Sequence, residues 1–118
     1  MSRRNKNLGD WGEQKGCEFL IKHTFKIVGR NYYTTDGEID VIAVKGDDYY
    51  FIEIKTRYQG DLANNTAITL NKRQNLAKAV KIYCCKQNIV DKAMILAGLL
   101  VVIDKIQKKV SFNFSVIY

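Results

Sequence analysis

The amino-acid sequence predicts an α/β protein in which a sheet is sandwiched between helices. Segments typical of strands and of helices follow one another in the order αβββαββ, separated by turn residues. The second and third strands, around residues 38–45 and 48–57, are apolar on both faces, so helices must cover both sides of the sheet. With 118 residues and 47% hydrophobic content, the chain fits a single domain over residues 1–118.

The first helix is predicted from Trp11 to about Lys22. Asp10 stands just before the apolar period begins, and Glu13 follows it at the spacing of a capping box. Glu13 is therefore either a cap residue or part of a site, and the residues alone leave both roles open. The preceding residues 1–8 are basic and show no apolar period, so we expect them to form a mobile basic arm.

Turn and loop signals bound the remaining elements. A second helix is expected to open near Asn71, because Gln74 follows at the spacing of a capping box and apolar residues then recur at the helical period. The other strands are predicted over residues 25–33, 99–103 and 110–116, with a turn at 34–37 and a loop at 58–69.

The hairpin between the second and third strands carries the most informative residues. Gly46 suits the first position of a two-residue type II′ turn, and this turn fixes the register of the two strands. In that register Asp40 lies opposite Glu53, about 5 Å apart at Cβ, and Glu38 lies opposite Lys55. Because side chains alternate along a strand, all four charges share one face of the sheet.

The same alternation predicts that the opposite face of the hairpin is purely apolar. Ile39 and Val41 of the second strand should lie there together with Ile52 and Ile54 of the third strand. The charged residues of the other face would then be reached from an edge, at a point where the strands separate or a cleft opens.

Two carboxylates at such a separation repel each other, and burial adds to the cost of ionising both. A divalent cation removes the conflict, and Mg²⁺ fits because it takes oxygen ligands and is commonly held by one or two carboxylates with a substrate phosphate. Lys55 beside such an ion is placed to orient a nucleophile or to stabilise charge on phosphorus. The alternative is a buried salt-bridge network of Asp40, Glu53 and Lys55 with no chemical role.

The segments GEID at residues 37–40 and FIEIKTR at residues 51–57 resemble the motifs of the PD-(D/E)XK nuclease superfamily. With a G-x-x-G-E helix start at residues 9–13 and a basic second helix, the chain is similar to the YraN-like family of bacterial predicted endonucleases, which resemble archaeal Holliday junction resolvases. The resemblance covers most of the chain. It is weakest in the C-terminal third, where LLVVID at residues 99–104 of the fourth strand replaces the Arg-Phe-Asp segment frequent in the family.

That resemblance implies a three-layer α/β/α restriction-endonuclease-like core with a mixed central sheet. It also implies a Mg²⁺ site, with Mn²⁺ as a substitute, formed by Asp40, Glu53 and the backbone carbonyl of Ile54. Lys55 would be catalytic, and Glu13 would reach the site from the first helix. Arg57 and Lys72 match basic positions of the family and are candidates for phosphate contacts.

The charge of the chain points to a polyanionic partner. Its 19 Lys and Arg against 12 Asp and Glu give a net charge of +7. Basic residues cluster in the N-terminal arm, with Arg3 and Arg4, and on the second helix, with Lys72 and Arg73, although a solvated helix face is the commoner role of such a cluster. The longest apolar run, residues 93–103, is too short to span a bilayer, so we expect a cytoplasmic protein with no membrane partner.

Motifs, charge and resemblance together predict a Mg²⁺-dependent endonuclease that hydrolyses phosphodiester bonds of DNA, with branched or structured DNA as the substrate implied by the resemblance. Two alternatives remain open at this stage: a nucleic-acid-binding module without cleavage, and a nuclease directed at RNA. The sequence also leaves open whether the chain forms a homodimer.

Overall fold

A computed structural model describes residues 3–60 and 70–117, with the side chains of residues 3–6 outside the described part. Within these two ranges, two helices and five strands follow in the predicted order αβββαββ. Neither helix combines the length and apolar character that crossing a membrane requires. The elements are α1 (Arg3–Lys22), β1 (Lys26–Tyr33), β2 (Glu38–Lys45), β3 (Asp48–Tyr58), α2 (Leu70–Lys86), β4 (Met94–Asp104) and β5 (Lys109–Val116).

The five strands form one mixed sheet in which spatial order follows chain order, β1-β2-β3-β4-β5. β3 and β4 are parallel, whereas the other three neighbouring pairs are antiparallel. A parallel connection needs a crossover, and α2 lies in the connection between β3 and β4. The mixed sheet expected from the resemblance is confirmed.

The hairpin of β2 and β3 has the predicted register. Pairing runs from Lys45 opposite Asp48 to Val41 opposite Ile52, so two residues form the turn. Gly46, at the first turn position, has φ of +62°, as a type II′ turn requires. The even length of this turn fixes which side chains of the two strands share a face.

Each helix covers one face of the sheet and contributes to its own apolar core. On the α1 face, Cys17 and Leu20 are buried among sheet residues that include Val41, Ile52 and Leu99. On the α2 face, the buried residues are Ile39, Ile42, Phe51, Leu76, Ala79, Val80, Cys84 and Leu96. The predicted arrangement of a sheet between helices is therefore confirmed as three layers, with one helix on each side.

The prediction that Ile39 shares a face with Val41 is wrong. Ile39 packs in the core under α2, while Val41 packs in the core under α1. Strict alternation would place both on one face, so the alternation breaks at Asp40. The neighbouring strand β1 is also irregular at this level. Its Arg30 pairs with Val41 and its Tyr32 pairs with Ile39, so Asn31 lies opposite Asp40, and Asn31 has a positive φ of +52°.

Helix α1 begins at Arg3, eight residues before the predicted start at Trp11. Asp10 lies inside this helix, so the predicted capping box is wrong, and residues 3–8 of the expected arm are helical. Leu8 and Trp11 line one groove together with Tyr58 of β3, and such tertiary contacts stabilise helical turns that local signals would end.

Smaller corrections apply to later elements. Asn71 lies within α2, which includes Leu70, so it is not the N-cap residue predicted from Gln74. Strand β4 is longer than the predicted residues 99–103, because the apolar run from Met94 pairs with β3 along its whole length. The predicted loop at 58–69 lies outside the described residues from position 61 onwards.

Helix α1 packs against β3 at unusually short range through glycine. A Cβ atom built on Gly12 would lie 1.7 Å from Oγ1 of Thr56, and one built on Gly16 would lie 2.8 Å from Cδ1 of Ile54. The absence of side chains at these two positions, one helical turn apart, lets the helix approach the sheet. This approach brings the next residue, Glu13, towards β3.

We expect Gly12→Ala to destabilise the protein by about 1 to 3 kcal/mol, because the added methyl group would force the helix and Thr56 apart. Gly9→Ala in the same helix is the matched control, since no atom lies within 4 Å of its Cβ position. That control should stabilise the protein by up to about 1 kcal/mol through helix propensity. Denaturant unfolding measures both, and equal effects of the two substitutions would contradict the close approach.

Candidate metal and active site

The site begins where the ladder between β2 and β3 stops. The last regular pair is Val41 with Ile52, and continuation of the antiparallel pattern would join Ile54 to Ile39 by backbone hydrogen bonds. The amide N–H of Ile54 instead donates to Oδ2 of Asp40 at 2.8 Å. The side chain of Asp40 therefore replaces a backbone acceptor and lies between the two strands.

Asp40 is the one charged residue among the buried residues of the described chain, with 4% of its surface exposed. Burial, together with the nearby charge of Glu53, raises the pKa of this carboxyl to about 8, against the lowering effect of the Ile54 hydrogen bond. Within residues 3–60 and 70–117, no Lys or Arg forms an ion pair with Asp40. The buried carboxyl lacks the cationic partner that a structural ion pair would supply.

Glu53 of β3 lies near Asp40 of β2, and its side chain is directed towards α2. Its Oε1 lies 3.6 Å from Nζ of Lys72, and 15% of its side chain is exposed. Burial raises the pKa of Glu53, while the positive charges of Lys72 and Lys55 act in the opposite direction. Lys72, predicted as a phosphate contact, thus lies against a predicted metal ligand.

Glu13 approaches the same carboxyl groups from α1. Its charge contributes to raising the pKa of Asp40. Burial raises the pKa of Glu13 itself, whereas the charge of Arg30 and hydrogen bonding by the Asn31 side chain lower it. Arg30 and Asn31 were missed from the sequence, because nothing in the spacing of β1 indicates that its residues face helix α1 at this point.

Lys55 lies two residues after Glu53 and shares its face of the sheet. Both residues and Arg73 of α2 line a cleft of about 450 Å³ on the side of β3 away from Asp40. Two polar residues of β5, Asn113 and Ser115, also line this cleft. Sequence reasoning missed both, since alternating polar residues on an edge strand are indistinguishable from an ordinary solvated face.

The other predicted contact residues lie around this centre or outside the described part. Arg57 follows Lys55 on β3 and is half-buried. Arg3 and Arg4 belong to the first turn of α1, but their side chains lie outside the described residues. The structure therefore brings together the predicted residues of α1, β2, β3 and α2, and leaves the contribution of the N-terminal arginines as a prediction.

A model of the family described as "Uncharacterised protein family UPF0102" matches residues 12–110. The chain belongs to the UPF0102 family. A UPF0102 protein of Geobacter metallireducens is 37% identical over 92 residues, which cover 77% of this chain and 75% of the relative. A UPF0102 protein of Aliarcobacter butzleri is 36% identical over 104 residues, covering 87% of this chain and 93% of the relative. The resemblance to the YraN-like family is confirmed.

The arrangement in this UPF0102 protein does not match a buried salt-bridge network. Among the described residues, Glu38 and Lys55 form no ion pair, although the regular hairpin register would have placed them opposite each other. The break at Asp40 ends that register before their level. The salt bridge of Glu53 with Lys72 joins β3 to α2 and leaves Asp40 without a cation.

The donor atoms of the UPF0102 site fit a hard cation that takes only a few of its ligands from the protein. Within the described part of the chain, no three His, Cys, Asp or Glu side chains converge as a metal-binding group. Asp40 and Glu53 offer two carboxylates. The N–H of Ile54 points towards Asp40 of β2, and the carbonyl of the same residue points towards the same strand, as in any antiparallel hydrogen-bonded pair. Mg²⁺ suits such a set, because it retains several water ligands.

Asp40→Asn tests the burial of this carboxyl. Because the folded-state pKa of about 8 lies above the value of 3.8 for an unperturbed carboxyl, the contribution of Asp40 to stability is present below pH 4 and is lost as pH rises through 8. Asparagine has no charge to desolvate, and its side-chain oxygen can still accept the Ile54 hydrogen bond. In EDTA, we expect the variant to be more stable than the wild type by about 1 to 3 kcal/mol at pH 9.

Denaturant unfolding at pH 5, 7 and 9 measures this difference, which should shrink as the pH falls. Asp36→Asn, in the exposed turn before β2, is the matched control and should change stability equally little at all three pH values. A variant of Asp40 whose stability relative to wild type did not depend on pH would contradict the raised pKa.

Proposed function

We propose that this protein is a Mg²⁺-dependent endonuclease that hydrolyses phosphodiester bonds of DNA, with branched or otherwise structured DNA as substrate. The observation that carries the proposal is Asp40, a carboxyl buried inside the sheet beside Glu53 and without a cationic partner in the described chain. In its ionised form such a carboxyl costs stability unless a cation balances it. The PD-(D/E)XK-like motifs at residues 37–40 and 51–57 support the same reaction class.

Each residue of the centre has a role that its surroundings support. Asp40, Glu53 and the carbonyl of Ile54 would hold Mg²⁺ or Mn²⁺, which would supply Lewis-acid activation of the phosphodiester and of the attacking water. Lys55 lies in the cleft beside Glu53, where its ammonium can orient the attacking water and stabilise negative charge on the phosphate. Glu13, whose pKa is raised by burial, is suited to hold a proton near the centre.

Substrate binding would depend on the basic surface. The net charge of +7 favours association with nucleic acid, and Arg57, Lys72 and Arg73 lie on or next to the face that carries Glu53. The Arg3 and Arg4 side chains are proposed to add phosphate contacts from the start of α1. This surface does not distinguish DNA from RNA, so the preference for DNA rests on the family resemblance. The cytoplasmic location is likewise a proposal from the sequence.

One observation favours a second candidate, a nucleic-acid-binding module without cleavage. The ion pair of Lys72 with Glu53 partly neutralises a predicted metal ligand and would compete with a cation. In that case, the carboxylates would have only a structural role, and the basic residues would bind the nucleic acid. Turnover by the purified protein distinguishes the two candidates.

Lys55→Met should reduce Mg²⁺-dependent nicking by at least about a hundredfold, because methionine retains the apolar stem but removes the charge that assists the reaction. Folding should be preserved, as the lysine forms no ion pair among the described residues. Lys81→Met, on the exposed surface of α2, is the matched control and should nick at the parent rate. The measurement is nicking of duplex and four-way-junction DNA and of RNA, with Mg²⁺, Mn²⁺ or EDTA; normal nicking by folded Lys55→Met would exclude a catalytic lysine.

Binding to duplex DNA in EDTA should weaken steeply with salt, with a slope of log affinity against log salt of about −0.9 per phosphate contact. We expect Arg57→Gln, and the double variant Arg3→Gln with Arg4→Gln, to make this slope less steep. Lys86→Gln is the control, because it lies at the far end of α2, roughly 21 Å along the helix from Lys72. Fluorescence anisotropy measures the slopes, and a slope near zero for the wild type would remove the case for a polyanion partner.

A further inference from the structure

The cleft beside Glu53 extends across three strands of the sheet, away from Asp40. Its floor consists of two successive rungs on the α2 face, because β4 pairs in parallel with β3 and antiparallel with β5. Gly98 leaves the middle of the first rung without a side chain. The rungs are Glu53, Gly98 and Ser115, and then Lys55, Leu100 and Asn113.

The two ends of this cleft differ in charge. Lys55 and Arg73 line the end next to the carboxylates, and Nε of Arg73 is buried without a hydrogen-bond partner among the described residues. Asn113 and Ser115 line the far end, two strand spacings or about 10 Å from Glu53, and offer neutral donors and acceptors. One end therefore suits an anion, and the other suits an uncharged polar group.

This polarity matches a single nucleotide, which carries a phosphate at one end and a polar sugar and base at the other. A volume of about 450 Å³ lies within the range of small-ligand sites. The neutral amide and hydroxyl groups can bond to a base edge or a sugar, whereas further lysines would have been expected along a path for backbone phosphates alone. Leu100 between the two ends gives the base an apolar surface.

We propose that the cleft binds one unpaired nucleotide adjacent to the scissile phosphate, so that the preferred substrate is single-stranded at the cleaved bond. The inference rests on the proposed nuclease function and specifies its substrate. A base within a duplex is stacked and has its pairing edge occupied, so its edge can bond to the polar groups of the cleft only after extrusion. The Glu53 side chain is 15% exposed and lines the cleft, so a phosphodiester that enters the cleft reaches the centre from the Glu53 side.

The first test compares cleavage of one DNA sequence in two forms: a continuous duplex, and a duplex in which a short gap in one strand leaves the labelled strand unpaired. The wild type should cleave at the unpaired segment at least about tenfold faster than at the same bonds in the duplex, since extrusion is avoided. The double variant Asn113→Ala with Ser115→Ala should lose about tenfold on the gapped substrate and little on the duplex.

Ser111→Ala is the matched control, because Ser111 lies on the same strand and face but pairs with Val102, outside the cleft. It should behave as the wild type on both substrates. Asn113, Ser115 and Ser111 are all exposed, so folding should be unaffected by any of these changes. Equal cleavage of both substrates, or an unchanged preference in the double variant, would overturn the subsite while leaving the nuclease function intact.

A second readout does not depend on cleavage. Binding of a short oligothymidylate to the wild type in EDTA, followed by amide chemical shifts, should perturb Gly98, Leu100, Asn113 and Ser115, and the double variant should bind more weakly. If no nucleic acid is cleaved under any condition, the proposed function fails, and this map alone decides the subsite. Shifts at the cleft would then support nucleotide binding there, and shifts elsewhere or none at all would overturn it.

Discussion

A single hydrogen bond, from the amide of Ile54 to the carboxyl of Asp40, organises the centre of this protein. It ends the backbone ladder between β2 and β3 after the pair of Val41 with Ile52. Since the amide is satisfied by a side chain, the two strands can separate without leaving a buried donor unpaired. The carboxyl that enables this separation is itself held inside the sheet, where burial makes ionisation costly and raises its pKa to about 8.

The surrounding elements are arranged to keep that costly group in place. Gly12 brings α1 against Thr56 of β3, which places Glu13 near Asp40 from one side of the sheet. Lys72 of α2 lies against Glu53 from the other side. Two apolar cores, one under each helix, supply the stability that allows such a centre to persist. On the proposed function, Lys72 balances Glu53 when no cation is bound, so the ion and the lysine compete for the same carboxylate.

The mixed topology of the sheet determines which side of the centre is open. Because β3 pairs with β4 in parallel, α2 serves as the crossover, and its apolar core is formed with β2, β3 and Leu96 near the start of β4. The α2 face of β4 and β5 beside Glu53 is left as a cleft. Asn113 and Ser115, which form its polar lining, belong to β5, far from the carboxylates in the chain. With Lys55 and Arg73 at the other side, the cleft has a basic end and a neutral end.

Local chemistry allowed the element order, the two-residue turn at Gly46 and the charged residues of β2 and β3 to be predicted from the sequence, because periodicity and turn residues act over a few positions. Tertiary contacts decided the rest. Helix α1 extends through Asp10 despite its cap-like signal, and Ile39 turns towards α2 because the strands depart from alternation at Asp40. The approach of Glu13 to Arg30, and the presence of Lys55 and Asn113 in one cleft, are invisible in the sequence, since no local spacing encodes which strands become neighbours.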